Sequence, residues 1–186
     1  MIEIVFFGRG GQGAVTAAQV LATAAFREGN FAQAFPSFGP ERRGAPVTAY
    51  ARIDRNRIAD RSQISKADYV IVLDPNVIKT ANPLNSVKAG GFAILNVDRT
   101  AEDIIGELAV NDFRLVCVNA TMISEEVYGR KSIPITNIAM LGAFSYVSQA
   151  VQMKNILLAV DNFFSGDRAA EAKRTAQMAY ERMAGA

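Results

Sequence analysis

Histidine is absent from this 186-residue chain, and cysteine occurs only once, at Cys117. Without histidine, the chain lacks the usual general base, the serine–histidine devices and the commonest metal ligand. One cysteine permits no disulfide within the chain and cannot supply the four thiolates of an iron–sulfur cluster. Because Cys117 lies in the apolar run 115–118, we predict a buried strand and a core thiol rather than a nucleophile.

An excess of charge of either sign is also missing, since 20 basic and 18 acidic side chains leave a net charge of +2. This balance argues against nucleic acid and membrane surfaces as partners. No apolar run reaches the length of a membrane span, and the N-terminus lacks the features of a signal peptide. We therefore expect a soluble cytoplasmic protein. Half of the residues are hydrophobic, enough for one sizeable core, and we expect one domain spanning 1–186.

Strand-like apolar runs alternate with helical patterns along the chain, which predicts an α/β fold with three layers, α/β/α. The runs 31–35 and 46–53 follow each other without a helix between them, which favours an antiparallel pair and a Rossmann-like mixed sheet. Further predicted strands are 2–7, 68–73, 91–95 and 115–118, and predicted helices are 14–26, 76–81, 101–108, 138 onward, 154–164 and 167–183.

The first strand and first helix are joined by a glycine-rich turn, with Gly8, Gly10 and Gly13 in the spacing G-x-G-x-x-G. Glycines let a ligand approach the main chain, and unpaired N–H groups at the start of a helix can bind a phosphate. A nicotinamide or flavin site also needs an acidic residue at the end of the second strand. Here that strand ends in Pro36 and Ser37. The glycines therefore either bind a phosphate or only form a tightly packed turn.

A second candidate segment is the loop 36–45, in which two prolines and two glycines exclude regular structure. Arg42 and Arg43 lie at its centre, and Phe35 and Phe38 flank it. A solvated surface loop would account for this charge cluster. We favour a binding surface, because aromatic side chains beside arginines on a stiff loop are typical of one.

Polar residues also precede or follow predicted elements near the middle and end of the chain. Residues 119–121 follow the Cys117 strand, where ligands approach an open α/β sheet if the strand is parallel. Thr136 and Asn137 precede the apolar helix that starts at Ile138, and we predict that the side chain of at least one of them caps this helix.

Three segments together resemble one known family. They are GRGGQGAV at 8–15, FPSFGPERRGAPV at 35–47 and NIAMLGA at 137–143. They are similar to the gamma subunit of 2-oxoacid:ferredoxin (acceptor) oxidoreductases. The resemblance extends over nearly the whole chain, and the middle segment is its most specific part.

The resemblance implies a non-catalytic subunit that works with alpha, beta and delta-type subunits. In that family a 2-oxoacid is decarboxylated on thiamine diphosphate, electrons leave through iron–sulfur clusters to ferredoxin or another acceptor, and coenzyme A receives the acyl group. Thiamine diphosphate, Mg and the clusters are then expected on partner subunits. Coenzyme A is the one candidate ligand at this chain, which holds no cofactor by itself and contributes no catalytic residue or metal ligand.

The resulting hypothesis is that the glycine turn and the arginine loop help to hold the phosphates of coenzyme A. Its candidate contacts are Gly8, Gly10, Gly11, Gln12, Gly13, Arg42, Arg43 and Asn137. An alternative is that the arginines and their neighbouring phenylalanines seal an interface with another subunit. Two other classes stay open, namely a free-standing oxidoreductase that binds NAD(P) or FAD and a structural adaptor without a ligand.

Overall fold

The computed structural model describes residues 1–37, 45–108 and 112–185, without the side chains of 107 and 108. None of the helices in these ranges combines the length and apolar character needed to cross a membrane. The strands are β1 Ile2–Arg9, β2 Phe31–Pro36, β3 Pro46–Asp54, β4 Ala67–Val72, β5 Val87–Asn96 and β6 Arg114–Val118. The helices are α1 Ala14–Arg27, α2 Val77–Ala81, α3 Ala101–Leu108, α4 Ala120–Tyr128, α5 Asn137–Ser148, α6 Met153–Val160 and α7 Gly166–Ala184, with a 3₁₀ turn at Pro83–Ser86.

The six strands form one mixed sheet in the order β2-β3-β1-β4-β5-β6. Strand β3 is antiparallel to both β2 and β1, whereas β1, β4, β5 and β6 run parallel to one another. The predicted antiparallel pair and mixed sheet are thus confirmed. The carboxyl ends of four parallel strands meet at one edge of the sheet, where ligands commonly bind.

Alternating side chains of the central strand β1 enter two separate hydrophobic clusters. Ile4 and Phe6 pack under α1 and the helices α4 to α7, whereas Val5 and Phe7 pack under α2, the 3₁₀ turn and α3. Since successive side chains of a strand point to opposite faces, each cluster fills one face of the sheet. The chain is therefore a single α/β domain with helices on both sides of the sheet.

Helix α5 lies inside this domain, and its first nine residues, Asn137 to Ser145, are all buried. A helix that is apolar on every side needs cover all round. Helix α7 supplies part of the cover through four buried alanines on one face, Ala169, Ala172, Ala176 and Ala179. The two helices approach so closely that a Cβ atom at Gly142 would overlap the carbonyl group of Ala176.

Strand β6 is less buried than its sequence suggests. The run 115–118 is indeed strand, but β6 forms an edge of the sheet, and Leu115, Val116 and Cys117 remain partly exposed. The prediction of a buried strand was therefore wrong in degree. Cys117 still packs against the second cluster, and burial, reinforced by the carboxylate of Glu102, raises the pKa of its thiol to about 11.

Replacing Gly142 with alanine should lower the free energy of unfolding by about 1–3 kcal/mol, because the added methyl group has to push α5 and α7 apart. Urea denaturation measures the change. The matched control is Gly106→Ala in α3, where the described residues place no atom within 4 Å of the new Cβ apart from its chain neighbours and the backbone of its own helix. The control should be neutral or stabilising by up to about 1 kcal/mol. Equal effects of the two substitutions would contradict the packing argument.

Cys117 should react slowly with a disulfide reagent in the folded protein. A pKa of about 11 leaves about one thiolate in a thousand at pH 8, whereas a free cysteine is partly ionised there. We expect the absorbance assay to give a rate at least about 100-fold lower than for the chain unfolded in guanidinium chloride. Similar rates in the two states would show that the thiol is an accessible nucleophile.

Candidate functional site

The turn between β1 and α1 lies at the edge where the parallel strands end. Gly11 and Gly13 have positive φ angles of 97° and 77°, a conformation that side chains disfavour. Gly13 occupies the N-cap position of α1, and no side chain caps this helix. The first N–H groups of a helix have no partner within it, and those of α1 lie directly after the turn.

Gly13 also permits two helix ends to touch. The amide Nδ2 of Asn137, at the start of α5, donates a hydrogen bond to the carbonyl oxygen of Gly13 at 3.3 Å. A Cβ atom on residue 13 would lie only 2.5 Å from this nitrogen. A Cβ atom at position 13 would therefore displace the Asn137 amide from this hydrogen bond.

The prediction that Thr136 or Asn137 caps α5 through its side chain is wrong. Thr136 does occupy the N-cap position, but no side-chain cap hydrogen bond forms there. Its hydroxyl donates instead to the carbonyl oxygen of Leu73 at 3.2 Å, and Asn137 binds Gly13. Both side chains are buried and are used to fasten α5 to the sheet edge.

The buried carboxylate of Asp74 holds the turn in place. Asp74 follows β4 and is only 3% exposed. Its Oδ2 atom accepts hydrogen bonds from Arg9 Nε at 2.7 Å and from Gln12 Nε2 at 2.8 Å. Gln12 Oε1 in turn accepts from the backbone N–H of Arg9 at 2.8 Å. Three residues therefore form a closed network that fixes the shape of the turn.

The second oxygen of Asp74 is occupied as well, because Oδ1 accepts from the backbone N–H and the side-chain amide of Asn76 at 2.9 and 2.8 Å. Burial alone would raise the pKa of Asp74, but the hydrogen bonds from Asn76 and the Arg9 guanidinium outweigh it. The pKa of Asp74 consequently lies below its ordinary value. The carboxylate is charged at neutral pH and pairs with Arg9.

Sequence reasoning missed Asp74, which was interpreted only as the end of a strand. The signal that would have revealed it is an acidic residue at the carboxyl end of a buried parallel strand, where functional groups of α/β sheets collect. Its partners Arg9 and Gln12 are more than sixty residues away in the sequence. Only the pairing of β1 with β4 brings them together.

Further polar side chains lie along the same edge of the sheet, at the ends of β5 and β6. Asn96, the last residue of β5, donates from Nδ2 to Leu73 O at 2.8 Å and to Thr121 Oγ1 at 3.0 Å. The backbone N–H of Thr121 returns a bond to Asn96 Oδ1 at 3.0 Å. Asn119 caps α4 by accepting from Met122 N–H at 2.9 Å. Since these groups form hydrogen bonds with one another, their role at this part of the sheet edge is structural.

A shallow cavity of about 250 Å³ opens on the turn itself, lined by Arg9, Gly10, Gly11, Gly13, Ala14, Val15 and Val47. Its walls offer backbone N–H groups, the positive end of α1 and a guanidinium group that Asp74 holds in place. Together these favour an anion. Near it, the buried Oδ1 of Asn137 has no hydrogen-bond partner among the described residues.

The structure brings most of the predicted site residues together. Gly10, Gly11 and Gly13 line the cavity. Gly8 lies beneath it in β1, packed against Leu73, and Gln12 is buried with its side chain engaged by Asp74. Asn137 adjoins Gly13, whereas Arg42 and Arg43 lie outside the described residues.

A metal site does not form in the part of the chain that the structure describes. Across 1–37, 45–108 and 112–185, no three acidic or cysteine side chains come close enough to share a metal ion.

Replacing Asp74 with asparagine should lower the free energy of unfolding near neutral pH by about 2–3 kcal/mol, because charged hydrogen bonds to Arg9 are lost in a buried place. The pKa of Asp74 is lower in the folded chain than in the unfolded one. Its stabilisation is therefore complete above the ordinary aspartate range and is lost as the pH falls through the folded value.

Denaturation of both proteins over a range of pH tests this, and the gap between them should close in acid. Asp167→Asn, at an exposed position in the first turn of α7, is the control and should cost less than about 1 kcal/mol. A gap that does not depend on pH would show that the charge of Asp74 is unimportant.

Comparisons with known proteins identify the family of this chain. A model of the pyruvate ferredoxin/flavodoxin oxidoreductase family matches residues 3–182. The pyruvate/ketoisovalerate oxidoreductases common subunit gamma of Thermococcus litoralis is 44% identical over 182 residues, which cover 98% of this chain and 97% of the relative. The crystal structure of pyruvate oxidoreductase subunit PORC from Thermotoga maritima has a TM-score of 0.82 at 31% identity, covering 97% of this chain and 95% of that one.

A more distant structure shows the same fold within a longer chain. It is the 2-oxoglutarate:ferredoxin oxidoreductase from Magnetococcus marinus with 2-oxoglutarate, coenzyme A and succinyl-CoA bound, at a TM-score of 0.79 and 15% identity. The similarity covers 100% of this chain and 31% of that chain. Because the family model and the relatives match nearly its full length, this chain belongs to the pyruvate ferredoxin/flavodoxin oxidoreductase family, among the gamma subunits.

Proposed function

We propose that the protein works in a multi-subunit, thiamine diphosphate-dependent 2-oxoacid:acceptor oxidoreductase that converts a 2-oxoacid to an acyl-CoA, and that it supplies subunit contacts and positions coenzyme A. The observation that carries the assignment is the match to the Thermococcus litoralis subunit, which covers 98% of one chain and 97% of the other. That relative is named as a subunit common to pyruvate and ketoisovalerate oxidoreductases. The 2-oxoacid would accordingly be selected on other chains.

The proposed division of cofactors is the one that membership of the family implies. Thiamine diphosphate, Mg and the iron–sulfur clusters are assigned to the alpha, beta and delta-type subunits, with ferredoxin or another acceptor receiving the electrons. The composition of this chain is compatible with that division, since without histidine and with one cysteine it cannot ligate an iron–sulfur cluster by itself. The complex is proposed to work in the cytoplasm.

The proposed place of coenzyme A is the cavity at the glycine turn, with its phosphate groups against the N–H groups of α1 and the guanidinium of Arg9. The Asp74 network holds Arg9 in position without a ligand, so little ordering is needed on binding. The cavity measures about 250 Å³, below the usual range for a whole ligand of this size. The remainder of the coenzyme would lie on neighbouring chains.

A proposed role for Arg42 and Arg43 is supported by the anchoring of Ala45, the last residue of the loop 36–45. The backbone N–H of Gly10 donates to the carbonyl oxygen of Ala45 at 2.9 Å. The end of the arginine loop is therefore tied directly to the glycine turn. Guanidinium groups match phosphate oxygens in geometry, which supports a shared role for the loop and the turn.

The geometry disfavours a free-standing dinucleotide enzyme. A dinucleotide site uses an acidic residue at the end of a parallel strand beside the first strand. Here the parallel neighbour of β1 is β4, and the acidic residue that follows it is Asp74. Both of its oxygens are already bound by Arg9, Gln12 and Asn76. They are not free to bind a ribose.

Changing Arg42 and Arg43 to alanine in the reconstituted complex should raise the KM for coenzyme A about 10- to 100-fold while assembly stays intact. This range corresponds to about 1.5–3 kcal/mol for a charged hydrogen bond. Steady-state kinetics and gel filtration measure the two quantities. The control is Arg168→Ala with Arg174→Ala on the exposed face of α7, which should change neither.

The opposite result, a complex that dissociates with an unchanged KM in what remains, would assign the loop to a subunit interface. The isolated chain should also show no oxidation of a 2-oxoacid. Turnover by the purified chain alone would refute the proposed division of labour.

A further inference from the structure

Strand β2 forms one edge of the sheet, and no further strand pairs with it within the part of the chain that the structure describes. It pairs with β3 on one side only, and its six residues, FAQAFP, carry no charge. Edge strands are usually guarded by charged side chains against pairing with another chain. Nothing in the sequence of β2 prevents an additional strand from joining it.

The register shows which backbone groups are open. Ser37 N–H donates to Thr48 O at 2.9 Å, and hydrogen-bonded positions alternate along an antiparallel pair. Phe35, Gln33 and Phe31 therefore bond to β3, whereas the N–H and C=O groups of Ala32 and Ala34 point outward. Pro36 falls on the outward side too, where its missing N–H costs β3 nothing.

A hollow of about 300 Å³ runs beside this strand, lined by Gln33, Ala34, Phe35 and Arg61. Phe31, which is 48% exposed, extends the apolar surface to the start of β2. The segment 55–66 lies on the other side of the hollow, where Gln33 Nε2 donates a hydrogen bond to the carbonyl oxygen of Ile58 at 3.1 Å. Backbone groups and a side-chain pocket thus occur side by side, as in domains that bind an extended peptide.

The segment 55–66 makes this edge positive. Arg55, Arg57, Arg61 and Lys66 are exposed, and none of them has an ion pair within the part of the chain that the structure describes. The nearby acidic groups are already engaged, since Asp54 pairs with the N-terminal amine at 2.7 Å and Asp60 with Arg52 at 3.5 Å. The charge of this segment is therefore available to a partner of the opposite sign.

We propose that the β2 edge, meaning the outward groups of Ala32 and Ala34 with the adjoining hollow and basic segment, docks an extended acidic segment of a partner subunit as a seventh strand. The strand edge supplies main-chain hydrogen bonds, and the arginines select for acidic side chains. This inference rests on the proposed membership of a complex.

Hydrogen exchange in the purified complex and in the isolated chain tests the pairing. The amides of Ala32 and Ala34 should exchange freely in the isolated chain and at least about 100-fold more slowly in the complex. Gln33 and Phe35, whose amides already bond to β3, are internal controls and should be protected in both. Unchanged exchange at Ala32 and Ala34 within an intact complex would overturn the inference.

Charge reversal tests the nature of the partner. Arg57→Glu with Arg61→Glu should weaken subunit association about 10- to 100-fold and reduce its dependence on salt. The exposed pair Arg168→Glu with Arg174→Glu on α7 is the matched control and should leave association unchanged. Equal weakening of subunit association by both pairs of substitutions would contradict the proposal that the β2 edge docks the partner.

A photo-crosslinking residue in place of Gln33 identifies the occupant. A crosslink to an acidic segment of another subunit supports the proposal, whereas a crosslink to a second copy of this chain, or to a segment without acidic residues, overturns it. Failure of any larger chain to associate with this one would refute the proposed function itself. An intact complex with an open β2 edge would refute only this inference.

Discussion

The buried carboxylate of Asp74 is the group on which the geometry of the glycine turn depends. It receives hydrogen bonds from Arg9 and Gln12, and through Gln12 it also fixes the backbone of Arg9. A charge that is 3% exposed is costly unless it is paired and fully hydrogen-bonded. The turn supplies those bonds, and the carboxylate in return holds the guanidinium of Arg9, a residue that lines the cavity. Fold and site therefore share the same few interactions.

The elements and their alternation were predictable from the sequence because local pattern determines them. The apolar run before Gly8 and the helical spacing after Gly13 mark the first strand and helix. The absence of a helix between 31–35 and 46–53 correctly indicated the antiparallel pair. The buried alanines of α7 recur at a helical spacing, so the sequence alone shows that they share one face of the helix.

What the sequence did not reveal depends on contacts between distant residues. The Asp74 network requires β4 to lie beside β1, and strand order is not a local property. Cys117 proved to be partly exposed because β6 lies at the edge of the sheet. Thr136 and Asn137 have the chemistry of helix caps, but the carbonyl groups of Leu73 and Gly13 compete for the same side chains. The hydrogen bonds to these tertiary partners form in place of the side-chain caps.

Strand β1 connects two charged regions of the molecule. Near its start, Glu3 pairs with Arg52 at 3.0 Å and with Lys88 at 3.1 Å, on the side where 55–66 covers the sheet. At its end, Arg9 lines the cavity at the glycine turn. Six residues of extended chain span about 20 Å, and the strand is buried between β3 and β4. It therefore acts as a rigid spacer, which fixes the distance between the Glu3 ion pairs and that cavity.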